Sequence, residues 1–121
     1  MAIQLERKIQ NEILEWIKNN ANDYSFWVYD RISRNTGRGY IPLKNTSHRY
    51  EIEGLTPLDL VGIYRVNGKM VWLEIKTDTG KLSKGQSKFI EHILGSNGYA
   101  MSIRSVLETQ IYLEYIRKRE S

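Results

Sequence analysis

Two apolar, β-prone stretches, Leu58–Val66 and Lys69–Lys76, flank the dipeptide Asn67-Gly68. Asn-Gly between such stretches is the strongest short-range hairpin signal a sequence carries. A two-residue turn there pairs Val66 with Lys69. Asp59 then lies across from Lys76, and Val61 across from Glu74. Side chains alternate along a strand. Asp59, Val61, Ile63, Met70, Trp72, Glu74 and Lys76 therefore share one face, and Leu60, Val71, Leu73 and Ile75 occupy the other. Both faces are largely apolar, so the hairpin is expected to be covered on both sides. An odd-length turn would move Asp59 to the opposite face and demand a bulge.

Three charges, Asp59, Glu74 and Lys76, thus fall on one face at one end of an otherwise apolar hairpin. Diagonal neighbours across a strand pair are about 7–8 Å apart at the backbone, a gap that long side chains close. One reading is a buried ion-pair cluster, but such clusters contribute little net stability. A second is an exposed hairpin end with solvated charges. A third is a site for a hard divalent cation. Two converging carboxylates suit Mg²⁺ or Mn²⁺. A neighbouring lysine suits orienting or activating a water and stabilising the charge that develops on a phosphate.

The rest of the chain supplies elements to cover the hairpin. Ile9, Ile13, Trp16 and Ile17 recur at helical spacing in a helix from Ile3 to Asn20, with Ile3 and Leu5 extending the stripe. At about 100° per residue Glu6 points into the middle of that stripe. Either it escapes into water at the helix start, where the dipole favours it, or it faces a polar pocket between helix and sheet. Ser25–Arg31 is aromatic-rich and reads as a strand. Arg31, Arg34, Arg38, Lys44 and Arg49, with Tyr40 and Tyr50 between them, form a basic, loop-rich stretch. It fits a phosphate backbone and fits a solvated loop equally. His48 has no partner at ligand spacing and reads as a surface residue.

Thr77–Leu82 is a loop with the spacing of neither a calcium loop nor a phosphate loop. Ser83 with Gln86 has the form of a capping box and opens a helix to Ser96, with Phe89, Ile90, Ile93 and Leu94 on its apolar side. Gly98 is expected to stop it. Tyr99–Arg104 reads as a strand. Ser105 with Glu108 is a second capping box, opening a last helix through Ile116 to a charged tail. The order is α-β-β-β-α-β-α, and no repeat or linker divides the 121 residues, so one domain is expected.

Hydrophobic residues at 40% and charged residues at 26% are ordinary for a globular protein. Cysteine is absent, which removes disulfides, thiol nucleophiles and cysteine zinc sites. No apolar run approaches the roughly 18 residues of a membrane span, and the first residues do not resemble a signal peptide. A cytoplasmic protein is the expectation. The net charge of +4 favours an anionic partner, nucleic acid first. Lys81, Lys84 and Lys88 surround the start of the Ser83 helix, where cations oppose the dipole. They read as phosphate contacts, or as a solvated face. Arg34, Arg38 and Arg104 are further candidates.

Pro57-Leu58-Asp59 followed by Glu74-Ile75-Lys76 resembles the PD-(D/E)xK nuclease signature. The proline stands two residues before the aspartate rather than directly before it. Gly54, Thr77, Gly80, Leu82-Ser83, Gln86 and Arg104-Ser105 narrow the resemblance to the VRR-NUC family of virus-type replication-repair nucleases. Glu6-x-x-Ile9-Gln10 and Arg34-Asn35-x-Gly37 are similar too, so the likeness covers nearly the whole chain. It implies an α/β restriction-endonuclease-like core, a central mixed sheet flanked by helices. It implies Asp59 and Glu74 as metal ligands with the Ile75 carbonyl, Lys76 as the residue that positions the attacking water, and Glu6 and Gln86 bordering the site. It implies a Mg²⁺- or Mn²⁺-dependent endonuclease, acting as a homodimer on branched DNA such as four-way Holliday junctions, in bacterial or phage-infected cells. No nucleotide cofactor and no membrane partner are expected. The alternative is a catalytically inactive nucleic-acid-binding module on the same fold. A structural protein with a buried ion-pair cluster is a third reading.

Overall fold

The computed structural model describes residues 2–29 and 54–121. Among these residues the elements follow the expected order: α1 (Ala2–Asn20), β1 (Tyr24–Val28), β2 (Leu60–Tyr64), β3 (Lys69–Ile75), α2 (Lys84–Gly95), β4 (Tyr99–Ile103) and α3 (Val106–Arg119). The strands form one mixed sheet in the order β1-β2-β3-β4. The first two pairings are antiparallel and β3 runs parallel to β4. A parallel pair needs a crossover, and α2 provides it.

The two sheet faces carry separate apolar layers. On one, Leu60, Val71, Leu73, Ile75 and Ile103 pack against Ile13 and Ile17 of α1 and Tyr112, Leu113 and Ile116 of α3. On the other, Trp72, Ala100 and Leu58 pack against Phe89, Ile90 and Ile93 of α2. This α/β arrangement, a mixed sheet flanked by helices, covers the β2–β3 pair on both faces. The cover on the α2 side is incomplete, since Ile63 and Met70 remain 37% and 44% exposed.

The hairpin differs from expectation in one respect. Tyr64 pairs with Lys69, Val61 with Trp72 and Leu60 with Leu73. The loop is therefore four residues, Arg65–Gly68, not two. Gly68 donates its N–H to the Tyr64 carbonyl at 2.8 Å, and the Asn67 side-chain oxygen accepts the Lys69 N–H at 3.0 Å. A two-residue type I′ turn needs positive φ at both central residues. Gly68 has it, at 79°, but the only non-glycine with positive φ among the described residues is Asn97. Asn67 instead reaches Glu120 at the end of α3, donating to its carboxylate at 2.8 Å. The register shifts by an even number, so every side chain keeps the face assigned to it.

The helix ends follow local chemistry. Both halves of the capping box form at α2: Gln86 donates its N–H to Ser83 Oγ, and Ser83 donates its N–H to Gln86 Oε1. At α3 only half forms. Ser105 Oγ accepts the Glu108 N–H, while the Glu108 carboxylate reaches one residue further back to the Arg104 N–H at 2.8 Å. The left-handed residue that ends α2 is Asn97, with φ 66°, not Gly98. Gly98 donates to the Ile93 carbonyl at 3.0 Å, the bond of a Schellman motif one residue beyond the left-handed position. On α1 the buried stripe begins at Ile9; Leu5 is 48% exposed.

Candidate functional site

The even register shift changes which charges meet. Continuing the β2–β3 pairing one step past Leu60–Leu73 sets Asp59 opposite Glu74, where the two-residue turn had set Lys76. Two backbone bonds fix this pair. The Ile75 N–H donates to Asp59 Oδ2 at 2.9 Å, and the Asp59 N–H donates to Glu74 Oε1 at 3.1 Å. Each carboxylate is thus held by the strand opposite.

Lys76 follows directly after β3. Its N–H donates to the Ile103 carbonyl at 3.0 Å, which ties the chain to the end of β4. Its Nζ lies 3.4 Å from Glu74 Oε2. The same oxygen accepts Gln86 Nε2 at 2.9 Å. One amide therefore caps α2 through its oxygen and holds Glu74 through its nitrogen. Asp59, Glu74, Lys76 and Gln86 form one connected cluster at the end of the hairpin.

The segment that delivers Asp59 is seated on the first turn of α2. Thr56 donates its N–H to the Gly85 carbonyl at 3.1 Å. A Cβ at Gly85 would fall 2.2 Å from Thr56 Oγ1 and 3.1 Å from the Gly54 carbonyl. Only glycine allows the 54–58 stretch this close to α2. Gly85 was not among the residues singled out in the sequence, although a glycine inside the first turn of a capped helix is itself a sign of close approach. Beside the cluster, Trp72 stacks edge-on with Phe89 at 4.8 Å and lies against Tyr29 at 5.6 Å. These rings form an apolar wall.

Glu74 is buried, 4% exposed. Burial, and then the Asp59 charge, push its carboxyl up to about 7; the Lys76 ammonium opposes the shift without cancelling it. With both carboxylates ionised beside one ammonium, an excess of one negative charge remains. Asp59 Oδ1 accepts no hydrogen bond among the described residues. The donor set is all oxygen and small. It fits Mg²⁺ or Mn²⁺, which take one or two carboxylates and fill the remaining positions with water and phosphate oxygens. It does not fit a cation that needs an all-protein cage. No group of three or more acidic or histidine side chains able to hold a metal occurs among the described residues.

Glu6 is the expected member that the structure does not bring in. It sits partly exposed on α1, ahead of the buried stripe, and makes no hydrogen bond or ion pair among the described residues. Lys81, Lys84 and Lys88 are all exposed around the start of α2. The Arg104 guanidinium donates to the Gly80 carbonyl at 3.0 Å. Arg34, Arg38 and the basic stretch around them, with His48, lie outside the described residues.

No helix among the described residues is long and apolar enough to cross a membrane. No protein-family model matches the chain, and no curated protein or solved structure matches it.

Proposed function

We propose that the chain is a divalent-metal-dependent endonuclease of the VRR-NUC type, with a restriction-endonuclease-like core, hydrolysing DNA phosphodiesters. The observation that carries this reading is the meeting of Asp59 and Glu74 across β2–β3 with Lys76 and Gln86 on the same carboxylate. Asp59 and Glu74, with the Ile75 carbonyl, are the residues that would hold Mg²⁺ or Mn²⁺. Such a metal, when bound, supplies Lewis acidity that makes a bound water acidic and neutralises phosphate charge. Lys76 orients the water that attacks phosphorus and offsets charge on the phosphate oxygens. Gln86 keeps Glu74 in place. Lys81, Lys84 and Lys88 contact the DNA backbone, and their exposure fits that role. A branched substrate and a homodimer rest on the sequence resemblance alone.

The test is a cleavage panel of single-stranded, duplex, flap and four-way DNA in Mg²⁺ or Mn²⁺, with Asp59→Ala and Lys76→Ala beside the wild-type chain. Metal-dependent cutting lost in both variants is the expected result. Cutting at the normal rate by either variant would refute the assignment.

One observation favours a second reading, the catalytically inactive DNA-binding module. Both oxygens of Glu74 already have partners within the chain. That reading predicts salt-sensitive DNA binding with no cleavage of any arm of the panel.

A further inference from the structure

Lys76 sits within a closed circuit of contacts. Its backbone is tied to Ile103 at the end of β4. The chain then turns, the Gly80 N–H donating to the Thr77 carbonyl at 3.0 Å. This turn folds Gly80 back over the lysine's own stem. A Cβ at Gly80 would lie 3.3 Å from Lys76 Cδ. The Gly80 carbonyl in turn accepts the Arg104 guanidinium at 3.0 Å. The Arg104 backbone is anchored too, donating to Glu108 in the first turn of α3. The circuit runs from Ile103 to its neighbour Arg104, through Gly80 to the Lys76 methylenes, and back along the Lys76 backbone to Ile103. A free lysine stem samples many rotamers. Here the side chain is 14% exposed, with the 77–80 turn as its cover.

We propose that Arg104 is a positioning residue for Lys76, latching the 77–80 turn over the lysine stem so that the ammonium stays at Glu74. This rests on the reading of Lys76 as the residue that orients the attacking water. It assigns Arg104 away from the phosphate backbone, where its charge alone would place it.

The experiment compares Arg104→Ala and Arg104→Lys in the full chain. Arg104→Ala is expected to lower kcat on a substrate the wild type cuts by about tenfold to a hundredfold, the range for a displaced catalytic group, with KM unchanged. Arg104→Lys, able to reach the same carbonyl, restores part of the rate. The dependence of DNA affinity on salt stays at the wild-type slope. A slope reduced by about 1 with a raised KM would make Arg104 a phosphate contact and overturn the latch, as would an unchanged kcat. A second readout needs no DNA: the acylation rate of Lys76 by acetic anhydride, followed by mass spectrometry against exposed Lys84. Arg104→Ala should raise it severalfold, and an unchanged rate refutes the latch. If the wild-type chain cuts nothing, the nuclease reading fails while the acylation rate still decides the latch. If Arg104→Ala does not fold, Gly80→Ala, which presses on Lys76 Cδ, carries the same expectations for kcat and acylation.

Discussion

Asp59 and Glu74 hold each other's strands. Asp59 accepts the N–H of the residue after Glu74, and Glu74 accepts the N–H of Asp59 itself. Both carboxylates therefore serve the fold before they serve any ligand, and their substitutions separate by which atoms they leave behind. Asp59→Asn keeps an oxygen for the Ile75 N–H but removes the charge. It should retain the stability of the wild type and lose divalent-metal affinity. Asp59→Ala leaves the Ile75 N–H without its partner, which costs about 1–3 kcal/mol. Urea unfolding of the two variants, beside metal titration by calorimetry, checks the contrast. Equal metal affinity in Asp59→Asn and wild type would remove Asp59 from the ligand set.

Glu74 gives the metal-free protein a pH dependence of definite sign. Its carboxyl is raised from 4.5 to about 7 by burial and by Asp59. Between those values the folded state holds a proton that the unfolded chain has released. This contribution is fully present below the unfolded pKa and is lost as pH rises through the folded one. The metal-free protein should therefore lose stability between about pH 4.5 and 7, by on the order of a few kcal/mol. Glu74→Gln, which cannot ionise, should flatten the fall. Mg²⁺ at pH 8 should restore the wild type and leave the variant unmoved. Thermal melts across pH with chelator and with Mg²⁺ are the measurement, and a wild-type profile as flat as the variant's would sink the account.

Much of this site could be read before the fold was known, because a strand alternates strictly. Val61, Trp72 and Glu74 stay on one face under any even loop, so the error at Arg65–Gly68 moved partners without moving faces. The loop length itself was not legible. It depends on the φ of Asn67 and on a side-chain bond to Glu120, fifty-three positions away. The place of Glu6 is less legible for a related reason. Periodicity gives its angle around α1 but not whether the sheet extends under that turn. The capping amide of Gln86 was legible from Ser83, whereas its other bond, to Glu74, needs the parallel crossover that lays α2 across the hairpin. Gly85 and Arg104 act through contacts with remote backbone, which a local pattern does not encode.

Gln86 joins a helix cap to a buried carboxylate, and one substitution pulls the two apart. Gln86→Glu keeps the oxygen that accepts the Ser83 N–H, and a carboxylate at a helix N-terminus is favourable. It loses the donor to Glu74 and sets a like charge beside it. The cap should survive while Glu74 is left short of a partner at a cost of about 1–3 kcal/mol, and any metal-dependent cleavage should fall sharply. Ser83→Ala does the reverse, weakening the cap by about 1 kcal/mol with the Gln86–Glu74 bond intact. Hydrogen exchange over the first turn of α2, read beside chemical unfolding, distinguishes the two. Loss of protection there in Gln86→Glu would show that the amide nitrogen, not the oxygen, sustains the cap.

At the other end of the molecule Asp23 and Arg117 close α3 onto the turn between α1 and β1. The guanidinium donates twice, Nε to Oδ2 at 2.6 Å and Nη2 to Oδ1 at 2.8 Å. That paired donation holds the Asp23 carboxyl below its ordinary 3.8, against a smaller opposing effect of burial. For a depressed carboxylate the stability is present above the unfolded pKa and lost as pH falls through the folded one. Both side chains are partly exposed, 28% for Arg117 and 29% for Asp23, so solvent screening keeps the contribution near 1 kcal/mol. Asp23→Asn should therefore lower stability by about 1 kcal/mol at pH 7. The difference from wild type should vanish once the pH lies below the native carboxyl's range. Paired urea titrations at neutral and strongly acid pH test this. A deficit that persists in acid would mean that Asp23 acts through packing rather than charge.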